Sequence, residues 1–467
     1  MLMEQKRSSF SGKIGFVLAS AGSAVGLGNI WRFPYLAAKY GGGIFLLVYL
    51  LLAITFGFVL MCAEIAIGRK TGKSAIDAYS SLNKKYAFIG VLGSIVPMII
   101  LPYYSVIGGW VSKYVFVFLS GGAADSAKDS VVIENGVEKT VSFFDTFVSG
   151  TFEPIAWFLL FLGLTAVIVL FGVEKGVEKV SKFLMPALVI LTIGIAVYTV
   201  FIPGAMDGVV YYLKPDFSKF SANTVLGAMG QLFYSMSLSM GIMITYGSYM
   251  KKDINLESSV KQIEIFDCGI AFFAGLMVIP GVFAFSTSAN AAAEVNKGSG
   301  LMFETLPKVF ESIPGGSFIG AAFFILVFFA ALTSSISLME TIVSILKDKF
   351  GWNRKLICLI VFLGCALVGL PSTLGNGIWS GFTLLGLSIL DFFDFISNSV
   401  IMPIVALLTC LFVGYVIKPK ALIEEVELTA PFKRKRMFTV VIKYVAPVCI
   451  VLILVSSVLD ALGIMSI

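Results

Sequence analysis

Histidine is absent from the 467 residues, and only 13% of them are charged, about half the roughly 25% of an ordinary soluble domain. The first absence removes the commonest metal ligand and general base. The second excludes a soluble globular protein. Six cysteines, Cys62, Cys268, Cys358, Cys365, Cys410 and Cys449, stand singly in apolar segments without a C-x-x-C pair, so the chain encodes no zinc site, haem attachment or disulfide framework. It has no basic tract of the kind that grips nucleic acid. A G-x-S-x-G nucleophile elbow is missing too, and with no His and no clustered Cys the residues do not read as an enzyme. Met1 to Lys13 is polar and basic with no apolar core ahead of a small-residue cleavage site, so the first hydrophobic segment is expected to stay as a helix.

Hydrophobic residues make up 58% of the chain, and uncharged stretches long enough to cross a bilayer recur: Tyr40 to Ala63, Phe183 to Met206, Phe220 to Met250, Cys268 to Ala293. Apolar runs and their flanking charges predict eleven spans, near 13–38, 41–68, 87–120, 153–173, 180–205, 223–250, 260–289, 316–346, 355–371, 391–417 and 437–459. This is an all-α polytopic membrane protein. With the N-terminus cytoplasmic, 25 of the 34 Lys and Arg fall in inside segments or the inner ends of the spans, which puts the N-terminus in and the C-terminus out. The outer segments Ser120 to Thr151 and Leu301 to Ser317 read as loops, the second helix-rich and broken by Pro307 and Pro314. Neither reads as a domain, so function must be built from the bundle.

Three spans are not written as plain lipid-facing helices. Span one carries Gly22, Gly26, Gly28, Asn29 and Arg32 at mid-depth. Close helix packing through small residues is one reading of the glycines. A broken helix lining a cavity is the other, favoured by Asn29 and by an intramembrane arginine that needs a partner. Span six is interrupted by Gln231 and Ser235-Met236-Ser237-Leu238-Ser239-Met240-Gly241, at the corresponding point five spans later. Span eight holds Thr333-Ser334-Ser335. Each hydroxyl alone can bond the carbonyl one turn back; together they read as oxygen ligands for a hard cation.

The motifs Ala24-Val25-Gly26-Leu27-Gly28-Asn29 with Arg32-Phe33-Pro34, Gly41-Gly42-Gly43, Glu64 to Gly68-Arg69, Pro102-Tyr103-Tyr104 with Trp110, Ser235 to Gly241, Tyr246-Gly247-Ser248-Tyr249 and Thr333-Ser334-Ser335 resemble the neurotransmitter:sodium symporter family over nearly the whole chain. Eleven spans are similar to its shorter bacterial members. The rule that paired interruptions in two halves mark a transporter's site was itself established on the leucine-transporter class within this family. The resemblance implies that fold: a 5+5 inverted repeat, about 8–206 and 220–418, with broken helices one and six, and a peripheral helix at about 437–459. It also implies a multi-pass protein of a bacterial cytoplasmic membrane that imports its substrate by alternating access.

The same resemblance assigns a first sodium to Ala24, Asn29, Ser235, Asp267 and the substrate carboxylate. A second sodium would lie among Gly22, Val25, Ala330, Thr333 and Ser334. Asp267 has another reading, a helix-end acid near Lys261 or Lys251; as a sodium ligand it would supply the charge that chloride supplies in animal relatives, making transport chloride-independent. Monoamine members place an aspartate at the position of Gly26, so glycine implies a substrate that brings its own carboxylate, a neutral amino acid. That substrate would meet Ala24, Gly26, Leu27, Gly28, Tyr104, Tyr234, Ser235 and Ser237. Its side chain would lie among Ser23, Ile100, Ser237, Ser239, Met240, Ser335 and Leu338. Ser239 stands where glycine is common, and its added bulk leads us to expect a small to medium side chain such as alanine, serine or methionine. Arg32 and Asp394, with Tyr234 as lid, match the outer gate; Arg7 and Asp348, supported by Phe10 and Tyr249, match the inner one.

Overall fold

The computed structural model describes residues 8–134, 137–285 and 300–461. Among them nine helices are long and apolar enough to cross a membrane. They are Gly43–Thr71 (span two), Lys84–Leu119 (three), Phe152–Leu170 (four), Val173–Val200 (five), Leu256–Phe285 (seven), Gly316–Phe350 (eight), Arg354–Leu374 (nine), Ile389–Val416 (ten) and Lys435–Leu459 (eleven). Span one is a pair, Lys13–Ala24 and Gly28–Lys39, bent by 54° at the glycine-rich break. Span six is also split, into Ala222–Ser235 and Ile242–Ser248. At 1.5 Å per residue neither piece alone reaches across the roughly 30 Å of hydrocarbon.

Burial sorts the spans by role. Span eight, which carries the hydroxyl cluster, is the most enclosed, with 67% of its apolar window buried, and span eleven the least, with 33%. Span eleven is therefore the most exposed of the nine. The outward residues of the peripheral spans, Phe183, Ile190, Leu367 and Val448, are large, apolar and exposed, as a lipid-facing surface requires.

Contacts tie the basic segments into one face. The N-terminal segment meets the end of span six, where the Phe10 N–H donates to the Tyr249 carbonyl at 3.2 Å and Lys251 Nζ donates to the Ser11 carbonyl at 2.9 Å. Ser11 also bonds Glu178 at the start of span five. Arg69, ending span two, is buried; its Nε pairs with Glu425 Oε1 at 2.8 Å, and it donates to the Glu425 and Ile254 carbonyls. On the opposite face Lys113 of span three pairs with Glu153 of span four, and Lys308 with Asp129.

Two expectations about the outer loops are corrected. The segment 120–151 is not simply a loop: Asp129–Glu134 pairs antiparallel with Val137–Ser142, because β-branched residues flank an Asn-Gly pair. Pro307 does not break a helix. It follows directly on the wide turn Leu301–Thr305 and lies within a continuous helical run to Ser312.

Candidate functional site

The two breaks face each other. Span one leaves the helix at Val25, whose ψ of 100° is extended, and returns through a wide turn at Gly28–Arg32. In span six, Ser237 and Ser239 adopt φ of +52° and +63°, followed by Gly241 at +71°. Left-handed conformations cost a non-glycine residue about 1–3 kcal/mol and persist where the surroundings fix them. Three contacts do so. Glu64 of span two, 2% exposed, spends a carboxylate oxygen on the Ser239 N–H at 2.7 Å. The Ser237 hydroxyl donates to the Ser23 carbonyl at 2.9 Å, and Gln231 Nε2 to the Gly28 carbonyl at 2.8 Å.

Asp267 of span seven is fully buried at this junction. Its Oδ1 accepts from the Ser235 hydroxyl at 2.6 Å and from Asn29 Nδ2 at 2.7 Å, and its Oδ2 from the Tyr49 hydroxyl at 3.0 Å. The helix-end reading is therefore set aside: Lys261 pairs with Glu257 and Lys251 with Ser11. Asn29, Ser235 and Asp267 come together as the sequence suggested, and Tyr49, which it did not suggest, completes the cluster. Asn29 turns its amide nitrogen to the carboxylate while its oxygen accepts from the Gly26 N–H at 3.1 Å.

A second oxygen cluster lies between span one and span eight. The Ser334 hydroxyl is 3.1 Å from the Ser23 carbonyl and 3.5 Å from those of Gly22 and Val25. Thr333 Oγ1 is 3.1 Å from the Ala330 carbonyl, and a Cβ added to Gly22 would stand 3.3 Å from Thr333 Cβ. All five residues assigned to a second sodium thus share one neighbourhood. The second cluster offers only oxygen, and the first does so apart from the Asn29 amide nitrogen; oxygen ligands suit a hard cation.

Between the clusters lies a cavity of about 30 Å³, walled by Ser23, Ala24, Gly26, Leu27, Gly28, Ile100, Tyr104, Tyr234, Ser235, Ser237, Met240 and Leu338. The Tyr104 hydroxyl accepts from the Leu27 N–H at 3.4 Å. A Cβ on Gly26 would lie 2.6 Å from Ser334 Oγ and 3.1 Å from the Tyr104 hydroxyl, so a side chain there would displace the Ser334 hydroxyl. Two residues expected in the wall do not border this cavity. Ser239 has a left-handed backbone, and its N–H donates to Glu64. Ser335 turns away from the cavity to meet Thr165 Oγ1 of span four at 3.0 Å. Ser334 and Ile242 line the cavity instead.

Tyr234 separates this cavity from a vestibule of about 360 Å³ that also touches Arg32, Asp391 and Asp394. Its ring lies against Gly28, where a Cβ would come within 2.6 Å, and Arg32 stands 5.2 Å from the ring centroid. Asp394 accepts from the Tyr103 hydroxyl at 3.0 Å and Asn398 Nδ2 at 2.6 Å. Arg32 and Asp394 face the same vestibule without a direct ion pair. On the basic face, Arg7 lies outside the described residues. Asp348 accepts from the Ser74 N–H at 2.9 Å, and Phe10 packs edge-on against Tyr246 and Tyr249.

A model of the sodium:neurotransmitter symporter family matches residues 7–142 and 148–464. The chain belongs to this family. It is 34% identical to a sodium-dependent transporter of Bacillus subtilis over the full length of both chains. A sodium-dependent transporter of Haemophilus influenzae is 33% identical, covering 97% of this chain and 98% of that one. The crystal structure of MhsT in complex with L-phenylalanine superposes with a TM-score of 0.85 at 36% identity, covering 97% of this chain and all of the other. The fold is thus that of the leucine-transporter class, and the protein is a sodium-dependent transporter rather than an enzyme.

Proposed function

We propose that this transporter imports a neutral α-amino acid together with sodium across the cytoplasmic membrane by alternating access, without chloride. The observation that carries the reading is Gly26, which brings no carboxylate of its own to the junction and lies beside the Ser334 and Tyr104 hydroxyls. A carboxylate needed there must arrive on the substrate. It would meet the Leu27 and Gly28 N–H groups and the Tyr104 hydroxyl, while the ammonium meets the carbonyls of Ala24, Tyr234 and Ser235 and the Ser237 hydroxyl. No charged side chain borders the cavity, so a neutral substrate is favoured.

Two sodium ions are assigned. The first would use Ala24, Asn29, Ser235, Asp267 and the substrate carboxylate; Asn29 would turn its amide over to present its oxygen. The second would use Gly22, Val25, Ala330, Thr333 and Ser334. The fixed charge of Asp267 in the first set supports chloride independence, because the cation already has an anionic ligand. Shared ligation by the substrate makes sodium and substrate binding mutually favourable. Residues 8–206 and 220–418 would be the inverted repeats that rock against each other. Tyr234, with Arg32 and Asp394, would close the vestibule, and Arg7 with Asp348 the basic face, which we place in the cytoplasm because 25 of the 34 basic residues belong to it. Each 100 mV of inside-negative potential then contributes about 2.3 kcal/mol per net charge moved.

With Ser239 outside the wall, the case for a small side chain lapses. Met240 is adaptable, and Ile100, Ile242 and Leu338 make an apolar surround. Together with the L-phenylalanine bound by MhsT, this favours an apolar substrate, around which the cavity of about 30 Å³ would have to widen. Uptake of labelled neutral amino acids into proteoliposomes tests the reading, with an inward sodium gradient against potassium and chloride against gluconate. Accumulation with sodium in either anion is expected. Uptake indifferent to sodium refutes the ion sites, and a requirement for chloride refutes the role of Asp267.

A further inference from the structure

Spans ten and eleven run side by side, and both widen at the same depth, in π-type turns at Phe412–Val416 and Val441–Val445. Here they bring Gly414 against Lys443: a Cβ on Gly414 would stand 3.4 Å from Lys443 Cγ and 3.6 Å from its Cα. Lys443 is half-buried within an apolar span. Among the described residues no carboxylate pairs with it, and its Nζ stands 5.9 Å from the Tyr415 ring centroid. The Tyr415 hydroxyl donates to the Lys443 carbonyl at 2.8 Å, which fixes that ring. A cation at this depth calls for an anion.

The chain leaving span ten supplies more charge. Lys418 has a φ of +64°, a strain of about 1–3 kcal/mol for a residue with a side chain. That turn sets Lys418 and Lys420 around the same cavity as Lys443, about 470 Å³, with Tyr415, Ile423 and Thr439 as further walls. The only carboxylate that meets any of the three among the described residues is Glu424, 3.9 Å from Lys420 in an exposed pair, a contact of little energy. Beside the cavity, Val440, Tyr444 and Val448 present a bare apolar strip.

We propose that this pocket binds an anionic glycerophospholipid from the leaflet of the basic face, with its phosphodiester between Lys443 and Lys418 and its acyl chains along Val440, Tyr444 and Val448. Charge complementarity selects the headgroup: three ammonium groups with almost no protein counter-charge favour a lipid with a net negative charge over a zwitterion. The adjoining apolar strip selects a lipid over a free phosphate. Neither the transported substrate nor the sodium sites enter this argument.

The test is native mass spectrometry of the full chain released from vesicles of phosphatidylglycerol and phosphatidylcholine. One tightly retained phosphatidylglycerol is expected, with at least fivefold lower occupancy in the Lys418→Gln/Lys443→Gln double variant. Equal retention of phosphatidylcholine, or equal occupancy in the variant, overturns the proposal. Because the variant can fail to fold, a diazirine-bearing phosphatidylglycerol is also cross-linked to the unaltered chain. Labelling confined to peptides within 411–423 and 437–448, competed by unlabelled phosphatidylglycerol but not by phosphatidylcholine or glycerol 3-phosphate, supports it. Labelling elsewhere, or competition by glycerol 3-phosphate alone, overturns it.

Discussion

Tyr49 and Asp267 meet across spans two and seven, the tyrosine hydroxyl donating to Oδ2 at 3.0 Å while also lying 3.2 Å from the Ser235 hydroxyl. Tyr49 is fully buried and stacks edge-on against Phe33 of span one, with ring centroids 4.8 Å apart. It positions the carboxylate against the broken helix. Hydrogen bonds to a charged group contribute about 1.5–3 kcal/mol. Tyr49→Phe is therefore expected to raise the sodium concentration for half-maximal uptake about tenfold or more while the protein still folds. An unchanged sodium dependence in proteoliposomes would remove Tyr49 from the site.

Asp267→Asn keeps the size of the side chain and removes its charge. Sodium-driven uptake in gluconate is expected to fall at least tenfold, with partial recovery when chloride is restored. Full activity without chloride would show that the carboxylate is not a cation ligand.

Gly26→Ala places a methyl group 2.6 Å from Ser334 Oγ. Overpacking of this kind costs typically about 1–3 kcal/mol, and here it also fills the space assigned to a substrate carboxylate, so uptake should be lost while sodium-dependent stabilisation is reduced. Gly26→Asp adds a second carboxylate to the same cation and should abolish amino acid uptake. Transport at the original rate by either variant would refute the assignment.

Glu64→Ala removes the acceptor for the Ser239 N–H and leaves a buried donor unpaired, a cost of about 1–3 kcal/mol. Glu64→Gln keeps an oxygen acceptor. The expected order of thermal stability in detergent, wild type first, then Gln, then Ala, would be contradicted by an alanine variant as stable as the glutamine.

Arg69→Ala breaks a buried pair with Glu425, for which about 3–5 kcal/mol is usual. Lys252 also reaches Glu425, at 2.7 Å, and should hold the loss near the lower figure. Arg69→Lys lacks the fork that joins Glu425 and the Ile254 carbonyl and should recover only part of the loss. A thermal midpoint equal to that of the wild type in either variant would show that this anchor carries no stability.

What could be read from the sequence was whatever stood out against an apolar background. Glycines with Asn29 and Arg32 inside span one, serines inside span six and a carboxylate at Asp267 are each costly in a membrane, so each marked its place. Tyr49 was hidden because one tyrosine in an apolar helix looks like ordinary core. Glu64 was visible, but its partner is a peptide N–H, which no residue type reveals. Ser239 and Ser335 fall outside the cavity for reasons that residue type does not reveal. At Ser239 the backbone is left-handed, and at Ser335 a hydroxyl on span four competes for the group.

The packing of Ser334 and Tyr104 over Gly26 also constrains how such a carrier could evolve. An aspartate there would suit a substrate without a carboxylate, yet it would press on the Ser334 hydroxyl, which belongs to the second oxygen cluster. A change of substrate class at Gly26 is therefore felt at that cluster as well.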